Sequence, residues 1–401
     1  MNAPDERRGL SPEVRTTGFY FTQFMASGAA VTIFPIWLAA RGISPDQIGI
    51  INALPMLLML LLNVLVGRIA DRASDWRSVI IIGCILTAAI PIGLFFVNEF
   101  WGVLLIWTLA SLPNVAVGPV ADAATMRMTR RRGTDYGTIR AWGTVGYMLF
   151  NAITGFLAAW YGAAVFVPLF VALTVLRALA ALALPKFRAP ADQPTLAANL
   201  QVAGRARDML KWWFVLPLVG FAMVYGTHYI LNAFASLLWK QQGIDEAVIG
   251  PLIAVSAFAE AAMMFAWRRF SSRFPARNLL LLSALVAALR WTAMGLSPPV
   301  AVLVVLQLLQ GITFSLGFLA SVHFITNWTG EEIAAEAQGY FVVLQQLMSV
   351  VALVGFGWLV GVMGAQAYIV AGGFALLGGG CVAVSLRLMG PKATAVDSAA
   401  P

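Results

Sequence analysis

The sequence predicts an all-α membrane protein of twelve transmembrane helices in two pseudo-symmetric six-helix bundles. Three observations predict it: an apolar composition, twelve apolar runs of spanning length, and a repeat that relates the two halves. Hydrophobic residues make up 60% of the chain and charged residues 11%, against about 25% charged in an ordinary soluble domain. A bilayer is the solvent that suits such a chain.

Runs of about 20 apolar residues are long enough to cross a bilayer core as helices. In the first half they fall near 17–39, 46–67, 78–97, 101–124, 139–160 and 163–184. The turn-like Trp160-Tyr161-Gly162 separates the fifth from the sixth. In the second half they fall near 212–238, 247–266, 279–296, 299–325, 338–362 and 366–388. Pro35, Pro55 and Pro113 lie inside spans, where bending and close packing tolerate them. The stretch 185–211 is rich in Pro and polar residues and reads as a cytoplasmic linker between bundles 17–184 and 212–388. Residues 1–16 and 389–401 read as cytoplasmic tails.

Basic residues are retained on the cytoplasmic side of a membrane. With the N-terminus inside, 22 Lys and Arg fall on cytoplasmic segments and helix ends, and only Arg41 and Lys240 fall outside. Arg177 and Arg290 remain within spans. Both termini are therefore expected in the cytoplasm, in a multi-pass protein of a bacterial inner membrane. The net charge of +8 follows from this topology and from lipid contact, and no nucleic-acid partner is expected. Residues Met1 to Val14 are polar and lack the apolar core of a cleaved signal peptide, so the first span is expected to be retained. Cys84 and Cys381 sit in apolar spans and read as packing residues rather than a disulfide or metal cluster. Neither a cofactor nor a metal is expected, and the functional unit is expected to be a monomer.

An offset of 201 residues sets Gly42-Ile43 and Ile48-Gly49 on Gly243-Ile244 and Ile249-Gly250. The same offset sets Gly67-Arg68-Ile69-Ala70-Asp71-Arg72 on Arg268-Arg269-Phe270-Ser271-Ser272-Arg273. Such an ungapped register indicates a parallel repeat, the transporter architecture in which substrate binds between halves.

The run Gly67-Arg68-Ile69-Ala70-Asp71-Arg72, followed by Arg77, resembles the signature between the second and third helices of the major facilitator superfamily. The resemblance implies that Gly67, Asp71, Arg72 and Arg77 form a cytoplasmic gate motif whose Asp caps a neighbouring helix. Taken alone, the run also reads as a solvated charged loop. Phe34-Pro35-Ile36-Trp37-Leu38, the string Asp135-Tyr136-Gly137-Thr138-Ile139-Arg140-Ala141-Trp142-Gly143-Thr144-Val145-Gly146-Tyr147, and Leu289-Arg290-Trp291 resemble the phenylpropionate permease group and lactose permease. This resemblance covers almost the whole chain. It implies the major facilitator fold and proton-coupled uptake of a small organic solute by alternating access. An aromatic acid such as phenylpropionate, a sugar or a nucleoside are the substrate classes it implies.

An ionised side chain at bilayer depth costs at least ~2.5 to 3.5 kcal/mol, so those that persist usually face the bundle interior or an aqueous path. They are Asp122, Arg140, Arg177, His228, Glu260, Arg290 and His323. Asp122 and Arg140 lie at similar depth on consecutive antiparallel spans, and either grip a polar substrate together or form an interfacial ion pair at a gate. The lactose permease resemblance implies that Asp122, Arg140 and Tyr147 bind substrate. Glu260 and Arg290 are the deeper pair, about 10 Å and about 17 Å from the cytoplasmic ends of their spans. Resemblance implies substrate binding for Glu260 and proton coupling for Arg290, and Glu260, the one carboxylate well inside a span of the second half, is also the candidate protonatable group; a permanent structural ion pair is the other reading. Where lactose permease has His and Glu in its tenth helix, this chain has Gln310 and Thr313, neither of which titrates. Gln310 remains a candidate substrate contact. His228 and His323 are each either a proton relay or a satisfied hydrogen-bonding residue.

Gln23, Asn52, Asn114, Asn151, Tyr225, Asn232, Gln307, Gln345 and Gln346 either line a cavity or join helices. Glu331, Glu332 and Glu336 make the segment before the eleventh span the one cytoplasmic loop without a basic residue. The absence of a nucleotide-cradling Gly-x-x-x-x-Gly-Lys loop argues against a primary pump, and with only two His the chain shows no catalytic constellation. A proton-driven exporter is the nearest alternative, since direction is not written in a fold, and a membrane-embedded enzyme the more distant one.

Overall fold

In the computed structural model, residues 10–72, 75–187, 211–329 and 331–388 are described, side chains excepted at 63–72 and 331–336. The chain divides by contact into two compact units, Met1–Pro194 with Asn232–Ala257, and Thr195–Leu231 with Phe258–Pro401.

The first unit contains α1 (Pro12–Ala40), α2 (Pro45–Arg72), α3 (Trp76–Ala89, prolonged by a 3-10 turn, Ile90–Phe95), α4 (Phe100–Arg132), α5 (Tyr136–Tyr161) and α6 (Phe166–Leu182). Then come α7 (Trp212–Gln241) and α8 (Glu246–Ser271), followed in the second unit by α9 (Ala276–Gly295), α10 (Val300–Leu308), α11 (Gly317–Trp328), α12 (Glu331–Met363) and α13 (Ala367–Arg387). A π-helical turn, Gly311–Leu316, joins α10 to α11, so that Val300–Trp328 makes one span.

Among the described residues, length and hydropathy single out ten apolar spans, of which 337–387 covers two successive helices. Helix α5 is not one of them, because Gly, Thr, Tyr147 and Asn151 dilute its apolar face. The exposed surface of these helices is nevertheless apolar: Phe265 is 89% exposed, Phe96 81% and Leu61 71%. Water would not tolerate such surface, whereas lipid chains match it, and helices satisfy their own backbone groups there. This is a multi-pass membrane protein.

The 201-residue repeat is visible in the backbone. After α1, the Ile43 N–H bonds to the Leu38 carbonyl at 3.2 Å and the Gly42 N–H to Ala39 at 3.0 Å. After α7, Ile244 bonds to Trp239 at 3.0 Å and Gly243 to Lys240 at 2.9 Å. Each is a Schellman cap, which requires a left-handed residue. Gly42 and Gly243 have φ of 75° and 83°, which glycine adopts without steric cost.

Several helices outrun their apolar runs. α4 continues to Arg132, where its last turn carries Arg130, Arg131 and Arg132 opposite the negative end of the helix dipole. α12 begins at Glu331, so the expected acidic loop is in fact the opening of a helix, where acidic residues favour the positive dipole end. The linker segment 188–210, the tails 1–9 and 389–401, and the side chains of Gly67, Asp71 and Arg72 lie outside the described residues.

Candidate functional site

Two groups of membrane-embedded polar residues stand out, one in each unit. In the first, α1 and α5 pack closely through Gly28, Gly143 and Gly146, whose missing side chains admit neighbouring backbone and Phe24. Small residues of this kind let membrane helices approach. The approach brings Arg140 over the Phe24 ring at 4.2 Å and the Tyr20 ring at 5.7 Å. Arg140 Nε lies 3.8 Å from Asp122 Oδ1, with both side chains partly exposed. The Tyr20 hydroxyl donates to the same oxygen at 2.7 Å. Asp122 and Arg140 are thus together, and Tyr20, which the sequence reading passed over, is their third member. Tyr147 stands seven residues beyond Arg140, two turns along the same face of α5. Its carbonyl takes the Asn151 side-chain N–H at 2.8 Å, while Asn151 Oδ1 accepts from Thr32 at 2.7 Å. Asn151 is therefore helix-joining glue.

Fully buried Arg177 on α6 donates to Asn114 on α4 at 2.5 Å. Arg77 donates to the Leu182 carbonyl at 2.6 Å. The cap of α3 is Asp75, which accepts from the Arg77 backbone at 2.7 Å.

The second group is a continuous hydrogen-bond chain. Gln310 Nε2 donates to Glu260 at 2.8 Å, and the Gln310 oxygen accepts from Arg290 Nη1. Arg290 also donates to Thr313 Oγ1 at 3.1 Å and to Gln307 at 3.0 Å. Thr313 Oγ1 lies 2.9 Å from His228 Nε2, and His228 Nδ1 lies 2.9 Å from the Val224 carbonyl. A carbonyl only accepts, so Nδ1 carries a proton, and in the neutral ring Nε2 accepts from Thr313. Both ring nitrogens are engaged by the fold.

Local structure explains the chain. A Cβ at Gly311 would lie 2.6 Å from the Ala259 carbonyl, so its absence lets the tenth span touch α8 beside Glu260. The π-helical turn that follows Gln310 carries Thr313, and such turns often mark functional sites. Ser283 holds the Thr313 carbonyl at 2.8 Å. Trp291 donates to Thr227 at 2.8 Å and stacks on Tyr368 at 5.8 Å, fixing α9 next to Arg290.

Glu260 and Arg290 are joined through Gln310 rather than by a direct ion pair. Beside them, Phe314 stacks on Tyr225 at 5.4 Å and lies 5.2 Å from the His228 ring, and the Tyr225 and Tyr229 hydroxyls are 3.4 Å apart. His323 is not part of this network; it meets Asn327 at 3.0 Å and the Trp267 ring at 5.8 Å. Thr313 was noticed in the sequence only as a departure, and Tyr229 and Phe314 carried no signal beyond aromatic content.

Lipid-facing helices around a few mutually bonded intramembrane charges define a membrane transporter. The chain belongs to the MFS_1 like family, whose family model matches residues 14–373. It is 26% identical over 328 residues to the "Probable 3-phenylpropionic acid transporter" of Escherichia coli, covering 78% of this chain and 82% of that one. It is 24% identical over 396 residues to the lactose permease of Klebsiella oxytoca, covering 90% and 93%. The fold is shared with the nucleoside transporter NupG, with a TM-score of 0.82 at 18% identity over 95% of this chain and 100% of that one. This protein is a secondary transporter of small organic solutes.

Proposed function

We propose that the protein is a proton-coupled symporter that takes up a ring-bearing organic solute by alternating access. The observation that carries the reading is the Glu260, Gln310, Arg290 chain beside the rings of Tyr225, Tyr229 and Phe314. A carboxylate tied to a guanidinium through a neutral amide has a protonation state that a rearrangement of the amide changes, which is what coupling needs. Aromatic faces beside fixed donors suit a flat or sugar ring. The relatives include a probable 3-phenylpropionic acid transporter and a lactose permease, which supports ring-bearing solutes.

In this reading Glu260 is the protonatable group, Gln310 and Arg290 transmit its state, and His228 positions Thr313. Asp122, Arg140 and Tyr147 contribute a second set of substrate contacts. Arg77, with Gly67, Asp71 and Arg72, belongs to a cytoplasmic gate. The chain acts as a monomer in a bacterial inner membrane with both termini cytoplasmic.

The test is uptake into proteoliposomes under an imposed proton gradient, with a panel of aromatic acids, sugars and nucleosides. Glu260→Gln is expected to abolish gradient-driven accumulation while equilibrium exchange of the substrate persists. Accumulation by Glu260→Gln with the wild-type pH dependence would overturn the assignment.

A further inference from the structure

At the end of the first unit where α1 and α3 begin and α4 and α6 end, a cavity of about 590 Å³ is lined by Arg15, Arg77, Arg131, Arg132 and Lys186. Of these five, only Arg77 has a part in the proposed cytoplasmic gate. Two carboxylates stand near them among the described residues: Glu13 pairs with Arg132 at 2.5 Å, and Asp75 accepts from the backbone of Arg77 and Phe187. Positive charge is left in excess.

The guanidinium groups are held in place. Arg15 Nη1 donates to the Ala183 carbonyl at 3.5 Å, Arg77 Nη2 to Leu182 at 2.6 Å, and Arg131 Nη2 to Phe187. The carbonyls of Leu182 and Ala183 lie at the end of α6, where a helix runs out of internal donors. A guanidinium has five N–H groups, so the single anchor of Arg15 and that of Arg77 each leave further N–H groups for a ligand. The Nε atoms of Arg15 and Arg77 are buried and have no hydrogen-bond partner. Several fixed planar forks around one cavity match the oxygens of a phosphate group, which such forks bind bidentately.

The remaining wall is apolar. Met128, Leu182 and Leu184 line the same cavity, and Leu10, just ahead of α1, and Val14, on its first turn, are exposed. A soluble phosphate has no use for these side chains, whereas the glycerol and upper acyl region of a lipid does. Helix ends also lie at headgroup depth.

We propose that this cavity binds the phosphate of an anionic phospholipid headgroup. The full-length protein, purified in neutral detergent, is titrated with dioleoyl phosphatidylglycerol, dioleoyl phosphatidylcholine or inorganic phosphate, and bound lipid is read by native mass spectrometry and thermal unfolding. Phosphatidylglycerol is expected to be retained and to raise the unfolding temperature, less so at high salt, and phosphatidylcholine and inorganic phosphate are not. The double variant Arg15→Gln with Lys186→Gln is expected to bind phosphatidylglycerol at least about tenfold more weakly, since each basic residue contributes a few-fold at such sites. Arg15→Lys with Lys186→Arg, which keeps the charge and checks the fold, is expected to retain most of the binding. Equal retention of phosphatidylglycerol by wild type and the Gln variant overturns the proposal. Stabilisation by inorganic phosphate alone overturns the lipid assignment and leaves a soluble anion site. Neither outcome bears on the role of Glu260 in transport.

Discussion

Gln310 is the residue on which the second-unit network turns. It donates to Glu260 with its amide nitrogen and accepts from Arg290 with its oxygen, and no titratable residue offers both at once in its charged form. Gln310→Ala strips one partner from buried Arg290 and one from half-buried Glu260, at about 1 to 3 kcal/mol for a buried group left unsatisfied. The expected outcome is folded protein with a lowered unfolding temperature and strongly impaired transport, checked by thermal unfolding and proteoliposome uptake. Gln310→Glu is expected to be worse for coupling than Gln310→Ala, because a carboxylate cannot donate to Glu260 and captures Arg290 in a direct ion pair. In the first unit, Arg140 meets two aromatic faces and a carboxylate, contacts that favour a planar cation. Arg140→Lys should therefore impair substrate affinity nearly as much as Arg140→Ala, measured by equilibrium binding to the purified protein. Wild-type affinity in Arg140→Ala would remove the residue from the substrate site.

At the scale of elements, α5 shows how a local signal serves a distant site. Asp135 caps the helix, accepting from the Thr138 hydroxyl at 2.8 Å and the Thr138 backbone at 2.7 Å. The Thr138 hydroxyl, then the backbone N–H groups of Thr138 and Gly137, hold its carboxyl below the usual range. A depressed value means that the cap's contribution is complete above the unfolded value, about pH 4, and is lost as pH falls through the folded one. Asp135→Ala should lower the unfolding temperature by a constant amount near neutrality, and the difference from wild type should close below about pH 4. Thermal unfolding of both proteins from pH 7 to pH 3 checks this. The cap sits about one and a half turns before Arg140, so its loss should also loosen the Arg140 contacts. Asp135 and Thr138 stand in the string that carries the family resemblance, but their capping contact emerged only with the structure. The π-helical turn after Gln310 had no local signal either, because it depends on how the tenth span meets α8 and α9.

At the scale of the whole molecule, the 22-to-2 division of basic residues makes topology testable. Reporter fusions at Gly42 and Lys240 should register the periplasm, and fusions at Gly133, Gln193 and Pro275 the cytoplasm. A periplasmic signal at Gln193 would break the six-plus-six arrangement. By itself the sequence determined the membrane class, the helices and the repeat, because hydropathy, length and glycine-dependent caps act locally, as at Gly42 and Gly243. It also marked the ionisable residues, because a charge in an apolar run is conspicuous wherever it points. Only the tertiary structure decided how they connect: that Gln310 stands between Glu260 and Arg290, that His228 is engaged at both nitrogens, that His323 lies apart, and that Tyr20 joins Asp122. Those links are set by helix rotation and by close approaches such as Gly311 on Ala259. Such approaches depend on the packing of residues distant in sequence, and no local pattern encodes them.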